Sequence, residues 1–398
     1  MDFSIDNELK SLRARVRDFV EQEIIPLETR LECLDETRNI APNALAAVRD
    51  KVKRTGLWAP QMPRGLGGLG LNMVGMAVLY EEMNRSLFGP VCFNCAAPDD
   101  GTMLALDKVL PESQKERWLQ PIVDGRVQSA FAMTEPMPGA GSDPAMMLTR
   151  AERRGDRWVV HGRKWFITGA AEAKHIILIA RTSNDQRRGL SAFLFHADSP
   201  GWRVVRRIGI MGPEDPGGHC EMEFDGLEIP HENLLLGEGD GLKFTQIRLG
   251  PARLTHCMRW TGMAKRALEI AADYVSQRRS FGMGLHEHEG VQWLLGDAAM
   301  QVDIGRLLTM RAAWLIDSGE RARKEVSMAK VVVSEALHHA VDTAIQLCGA
   351  KGYSTDLPLE WMYRYARLAR LGDGASEVHK MVLARHVLEE RKEFWTWR

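Results

Sequence analysis

The order of hydrophobic patterns along the 398-residue chain predicts an α+β fold: helices first, a block of strands next, then long helices again. Three observations predict it. Apolar residues in the first third recur at spacings of three and four. Between about residues 131 and 230 the texture changes to short runs rich in Val, Ile, Phe and Trp, divided by turn residues. From about Gly241 the helical spacing resumes in longer segments. Strands and helices are segregated, not alternating, which argues against a βαβ parallel sheet.

Each element has its own signal. Leu9, Leu12, Val16, Phe19, Val20 and Ile24 form one apolar stripe that ends near Pro26, the pattern of a helix lying on a core. Similar stripes cover 43–55, 73–85 and 112–123, the last closed by Gly125. "RWVVHGRKWFITG", "AKHIILIARTS", "LSAFLFHADS" and "EMEFDGLEIP" read as strands. Helices are expected again over 242–277, 289–318, 322–349 and 375–395. Three domains follow from this texture: 1–127 helical, 128–238 β, and 239–398 helical.

Composition excludes several classes. Lys and Arg number 52 against 53 Asp and Glu, so no overall basic field invites nucleic acid or acidic lipid. Short basic runs such as "RRGDR" and "RARK" are diluted by neighbouring acids and read as solvated surface. No apolar run approaches the ~18 residues that a membrane span needs. The start "MDFSIDNELK" lacks the layout of a signal peptide, and six cysteines make no disulfide framework. A cytoplasmic protein without membrane or nucleic-acid partners is the expectation.

Several motifs are decoys. "GLGGLG", 65–70, satisfies the dinucleotide fingerprint, but the two prolines of "WAPQMPR" make a poor preceding strand, so a structural turn is expected. "CFNC", Cys92 to Cys95, has no second pair at zinc-finger spacing and reads as buried helical cysteines. "LHEHEG" and "LHHA" do not match a helical zinc motif, and no metal site is expected. Neither a Gly-x-Ser-x-Gly elbow nor a P-loop is present.

What survives is a constellation of separated stretches: "FAMTEP" through "GAGSD" (131–143), "KWFITG" (164–169), "RRSFG" (278–282), "QLCGAKGY" (346–353) and "GDGASE" (372–377). Taken singly, each has a structural explanation: a turn, strand core, a solvated helix end. In this order they resemble the acyl-CoA dehydrogenase family, whose pattern is T-E-P-G-A-G-S-D, K-x-W-I-T, R-x-x-F-G, Q-x-x-G-G-x-G-Y and E-G-T-S-E. "EIPHENLLLGEGDG", 228–241, is similar to the family's strand-to-helix junction.

The resemblance implies a helical N-terminal domain, a middle β-barrel-like domain and a C-terminal four-helix bundle, with FAD as cofactor. It implies that Phe131, Met133, Thr134, Ser142, Phe166 and Thr168 meet the flavin. Arg278, Phe281, Gln346 and Gly349 match segments lent to the FAD diphosphate by a neighbouring subunit, so a homo-oligomer, dimer or tetramer, is implied. Ala375 and Glu377 match further flavin contacts. The implied reaction takes a proton from Cα of an acyl-CoA and a hydride from Cβ, leaving trans-2-enoyl-CoA, with electrons passing to an electron-transfer flavoprotein. Such chemistry needs a positioned base. Asp373 matches the base, in the manner of relatives acting on long or branched acyl-CoAs; Ser142, Arg253 and Gly374 match substrate contacts.

This chain also departs from the family pattern. Asp373 stands where most relatives have Glu, one methylene shorter, about 1.3 Å. The alternative base position of some relatives reads Ala252. Met137 and Pro138 lengthen the T-E-P loop, Phe166 replaces Trp, and Ala350 and Ala375 replace Gly and Thr. Leu249-Gly250-x-x-Arg253 keeps the arginine of the family's L-D-x-x-R but not its acid. Two other readings share the scaffold: a flavin oxidase acting on nitroalkanes or acyl-CoAs, and a relative of the DNA-binding alkylation-response flavoprotein.

Overall fold

The computed structural model describes residues 4–185, 188–212 and 214–396; the extreme ends of the first and third expected domains lie outside them. In chain order the helices are α1 Asn7–Phe19, α2 Pro42–Thr55, α3 Met73–Met83, α4 Gly89–Cys92, α5 Asp99–Val109, α6 Glu112–Trp118 and α7 Gln120–Val123. The strands are β1 Ser129–Ala132, β2 Arg150–Arg154, β3 Arg157–Thr168, β4 His175–Arg181, β5 Leu190–His196, β6 Trp202–Arg207, β7 His219–Pro230 and β8 Leu234–Leu235. Then come α8 Gly241–Gln277, the hairpin strands β9 Arg279–Ser280 and β10 Met283–Gly284, α9 Glu289–Asp317, α10 Arg323–Cys348, α11 Ala350–Tyr353, α12 Leu359–Ala369 and α13 Ser376–Glu390. This is the order expected: a helical N-terminal part, a sheet, and a helical C-terminal part.

The chain divides into two compact units. The sheet unit comprises Gln61–Gly70 and Asn94–Ala252; the helical unit comprises Met1–Pro60, Leu71–Phe93 and Arg253–Arg398. Helix α8 is shared, its residues 241–252 belonging to the sheet unit and 253–277 to the helical unit.

In the sheet unit the strands run β6-β7-β3-β2-β4-β5-β8, with β1 added parallel to β4. The end strands β6 and β8 are not paired with each other among the described residues, so this is an open sheet and not a closed barrel. β4 and β5 are buried along almost their whole length, which is why "IILIA" and "AFLF" are apolar runs without polar alternation. Trp158, Ile167, Leu178, Phe193, Phe195, Met222 and Phe224 share one buried cluster. Helix α5 is tied to β1 where Asp99 Oδ1 accepts from both the backbone N and the Oγ of Ser129, each at 2.7 Å. The "GLGGLG" segment makes a turn after Arg64–Leu66, with Gly67 and Gly70 at positive φ, and Gly70 N donates to Met62 O at 2.8 Å.

In the helical unit α10 packs against α9, α12 and α13, and α3 packs against α1 and α9. The apolar stripe read from Leu9 to Ile24 is α1 prolonged by a π-helical turn over Val20–Ile24, followed by a 3-10 turn at Pro26. Cys92, on α4, is buried, and burial pushes its thiol up to about 12. The histidines of "LHEHEG" bond backbone oxygens, His286 Nδ1 lying 3.3 Å from Val275 O and His288 Nε2 3.3 Å from Ser280 O. Among the described residues no helix is long and apolar enough to cross a membrane, and no cluster of three His, Cys, Asp or Glu could hold a metal.

Candidate active site

The structure divides the residues singled out in the sequence between the two units. Phe131, Met133, Thr134, Ser142, Phe166 and Thr168 lie in the sheet unit; Arg253, Arg278, Phe281, Gln346, Gly349, Asp373, Gly374, Ala375 and Glu377 lie in the helical unit.

In the sheet unit, the pairing of β3 with β7 breaks between Lys164 and Ile167. This bulge lifts Trp165 and Phe166 out of the ladder, and Phe166 takes a left-handed φ of 52°. Ile167 beyond it returns to the core, whereas Phe166 is 47% exposed with its ring edge-on to Trp165. The bulge aims one aromatic outward from a strand that otherwise reads as core. The loop after β1 is stitched to it: Trp165 N donates to Thr134 O at 3.0 Å, and Thr134 Oγ1 donates to Trp165 O at 2.6 Å. So Met133 and Thr134 stand beside Phe166 by construction. Phe131 carries the Arg248 guanidinium over its ring at 4.3 Å. Ser142 is exposed, and Asp143 caps the following turn by accepting from Ala145 N at 2.9 Å.

Two residues inside these motifs had no assigned role and prove central to the loop. Lys164 Nζ lies 2.9 Å from Glu135 Oε1 and 2.8 Å from Met133 O, with the side chains 0% and 2% exposed. Glu135 also accepts from the backbone N of Leu148, Thr149 and Ala140 at 2.7, 2.9 and 3.2 Å. Burial pushes the Lys164 ammonium down to about 8 against the pull of Glu135. The Glu135 carboxyl is held below its usual range: Lys164 and the donated hydrogen bonds outweigh its own desolvation. Gly139 has to be glycine, because a Cβ there would overlap the Glu135 side chain, whose carboxylate is pinned by its hydrogen bonds.

In the helical unit, Asp373 sits in a tight loop between α12 and α13 at φ 52°, a conformation that Asp tolerates better than most residues. Gly374 follows at φ 104°, and a Cβ on it would come within 3.0 Å of His379 Nε2. Gly372 is under no such demand, its nearest neighbour to a Cβ being 3.8 Å away, so only one of the two flanking glycines is fixed by geometry. Arg253 Nε donates to Asp373 O at 2.8 Å, which brings two predicted residues together. The fully buried Lys330 donates to Ala369 O at 2.8 Å and Gly374 O at 3.4 Å, and lies 5.0 Å over the Trp260 ring. Burial lowers its pKa. His379 donates or accepts at Ser327 Oγ, 3.2 Å away; burial, with Arg253 and Lys330 nearby, pushes it down to about 4. His256 Nε2 lies 3.1 Å from Asp373 Oδ2.

The remaining residues sit at element ends. Phe281 and Gly282 form the tip of the β9–β10 hairpin, both at positive φ, with Phe281 94% exposed. The neighbouring Arg278 is exposed. Gln346 is exposed on the last turn of α10, and Gly349 (φ 58°) ends that helix with open space where a Cβ would be. Ala375 is the N-cap of α13 and offers no side-chain cap, the consequence of having no hydroxyl there. Glu377 lies exposed in the first turn. Lys330, His256 and His379 were missed in the sequence. Arg253, His256 and Trp260 do follow helical spacing, which was the available signal.

A helical N-terminal part, a bulged sheet and a helical C-terminal part holding a loop carboxylate define a class of enzyme fold, and comparison with known proteins identifies it. Sequence models of the acyl-CoA dehydrogenase N-terminal, middle and C-terminal domains match residues 6–126, 130–227 and 239–388. The chain belongs to the acyl-CoA dehydrogenase family. It is 37% identical over 395 residues to acyl-CoA dehydrogenase family member 11 of Gallus gallus, which covers 95% of this chain and 50% of that protein. It is 36% identical over 403 residues to the Mycobacterium tuberculosis protein named probable acyl-CoA dehydrogenase FadE2, covering 98% of each. The glutaryl-coenzyme A dehydrogenase glutaryl-CoA complex superposes with a TM-score of 0.86 at 28% identity, covering 100% of this chain and 99% of that one. The chain spans about half the length of the vertebrate relatives it matches.

Proposed function

We propose that the chain is an FAD-dependent acyl-CoA dehydrogenase in which Asp373 takes the α-proton and an electron-transfer flavoprotein receives the electrons. The observation that carries this reading is the Asp373 loop. A carboxylate is held in a left-handed turn whose backbone oxygens are tied down by Arg253 and Lys330, beside a glycine at φ 104° where a side chain would be strained. Such immobilisation suits a base that must meet a weakly acidic carbon at a fixed distance.

The residues present fit FAD. Phe166 presents an aromatic face raised from the sheet by the bulge; Thr168 lies two residues along the same strand, and Thr134 is bonded to the neighbouring Trp165. Met133 and Phe131 add apolar surface. Arg278 offers an exposed cation, and Gly349 an open backbone, for a diphosphate. When bound, FAD supplies the acceptor for the β-hydride. We assign cofactor contacts also to Ser142, Phe281, Gln346, Ala375 and Glu377, and substrate contacts to Ser142, Arg253 and Gly374. A homo-oligomer, dimer or tetramer, is part of this proposal, with Phe281, exposed at the hairpin tip, meeting a second subunit.

The test is anaerobic titration of the purified flavoprotein with butyryl-, octanoyl- and palmitoyl-CoA, following flavin absorbance. The wild type is expected to bleach with at least one, and Asp373→Asn to stay yellow. Full bleaching of Asp373→Asn removes it as base. Peroxide release in air at the turnover rate would replace the electron-transfer flavoprotein with oxygen as acceptor.

A further inference from the structure

The base has a partner that neither its motif nor the family comparison names. His256 projects from the part of α8 that belongs to the helical unit, and its Nε2 lies 3.1 Å from Asp373 Oδ2. Its ring stacks on Trp260, with centroids 4.9 Å apart and planes 19° from parallel. Its other nitrogen, Nδ1, lies 3.1 Å from Arg259 Nη2.

These contacts fix the tautomer. A guanidinium only donates, so Nδ1 must accept and carries no proton. The proton of the neutral ring is then on Nε2, where it is donated to the Asp373 carboxylate. The surroundings favour the neutral ring. Burial lowers the His256 pKa; Arg259 on the same helix and Lys330 on α10 push the same way, against the pull of Asp373. The loop side of the cluster adds Arg253, whose Nε holds Asp373 O, and His379, which is itself pushed down to about 4.

We propose that His256 is a positioning residue for the base: a neutral imidazole, its tautomer set by Arg259, that holds the Asp373 carboxylate by donating from Nε2 to Oδ2. This rests on the reading of Asp373 as the base. The need for it lies in the short side chain. Backbone bonds from Arg253 and Lys330 fix the loop, and the contact from His256 Nε2 bears on the carboxylate itself. A residue one methylene shorter than Glu has little tolerance, since a misplacement of about 1 Å costs on the order of a hundredfold in rate.

The experiment uses the flavin-loaded full chain and four variants: His256→Phe, His256→Gln, His256→Asn and Asp373→Asn. Stopped-flow flavin reduction by octanoyl-CoA, or by whichever of butyryl- and palmitoyl-CoA reduces the wild type faster, is measured from pH 5 to 9. His256→Phe keeps the ring stack on Trp260 without the donor. It is expected to lose about tenfold to a hundredfold in limiting rate with little change in half-saturating substrate. The acidic limb of its rate profile should also move to higher pH, because the carboxylate loses a donor that favours its charged form. His256→Gln, whose amide nitrogen reaches the place of Nε2, should keep most of the rate; His256→Asn, whose amide reaches only the place of Nδ1, should not. Equal rates and superimposable pH profiles for His256→Phe and wild type overturn the proposal. So does equal loss in the Gln and Asn variants with the pH limb unmoved, which would mark His256 as packing alone. If Asp373→Asn is still reduced, the base assignment itself fails, and the inference with it.

Discussion

Replacing Lys164 by Met tests the idea that one buried ion pair builds the loop between β1 and β2. Lys164 and Glu135 are both out of water, and Glu135 gathers three backbone N–H groups besides the ammonium. Removing one partner of a buried pair typically costs about 3–5 kcal/mol, because a charge is left unpaired. Here Glu135 would keep its three backbone donors, which places Lys164→Met at the lower end, about 3 kcal/mol. At roughly 2–4 °C per kcal/mol for a unit of this size, the midpoint should fall by about 6–12 °C. Glu135→Leu should cost more, since it strands the ammonium and all three N–H groups together. The double variant should recover part of the loss through a favourable coupling term. Circular dichroism during urea and thermal unfolding, at two wavelengths to check two-state behaviour, measures all three. A Lys164→Met protein that melts with the wild type, or a Glu135→Leu protein more stable than Lys164→Met, would refute this reasoning.

Three further predictions concern single positions. His175 and His379 are both buried and pushed down to about 4, so each favours the unfolded chain once that chain protonates. Their share of stability is full above the unfolded value near 6.5 and is lost as pH falls toward 4. His379→Gln should therefore flatten the acid side of the stability curve by up to about 1.4 kcal/mol per pH unit, as measured by urea midpoints at pH 4 to 7. Ala375→Thr should restore the missing cap of α13 and raise stability by about 1 kcal/mol, read from the same titration. Gly374→Ala adds a Cβ 3.0 Å from His379 Nε2 at φ 104°, so acyl-CoA reduction of the flavin should fall while the flavin content of the purified protein stays at the wild-type level.

The parts legible in the sequence were those whose signal is local. β4 and β5 announce themselves because a strand buried on both faces must be apolar without interruption, and α9 and α10 because their stripes are long. Helix α5 was not foreseen: its first turn carries Asp99 and Asp100, both buried, which breaks the apolar stripe. Strands β2 and β6 were missed for a related reason. "RAERR" and "WRVVRR" are mostly exposed, charged strands whose place is set by pairing with β3 and β7, not by their own hydrophobicity. The stretch 112–123, read as one helix, breaks at Leu119, just before Pro121.

The same division explains the site. Asp373 could be singled out because a lone acid between glycines is a local anomaly, and the residue sits at a left-handed φ of 52°. Lys330, deep in α10, looks in sequence like any lysine of an amphipathic helix. Its role comes from two carbonyls, Ala369 O and Gly374 O, some forty residues further along the chain. His256 is harder still, since its tautomer depends on Arg259 and its function on a residue more than a hundred positions away. A cation or imidazole acquires chemistry from what lies opposite it after folding. The general rule is that buried charge is paired or hydrogen-bonded. Applied to α8 and α10, it turns each polar residue on a buried face into a question about its partner, and for Lys330 and His256 the answer is the same loop.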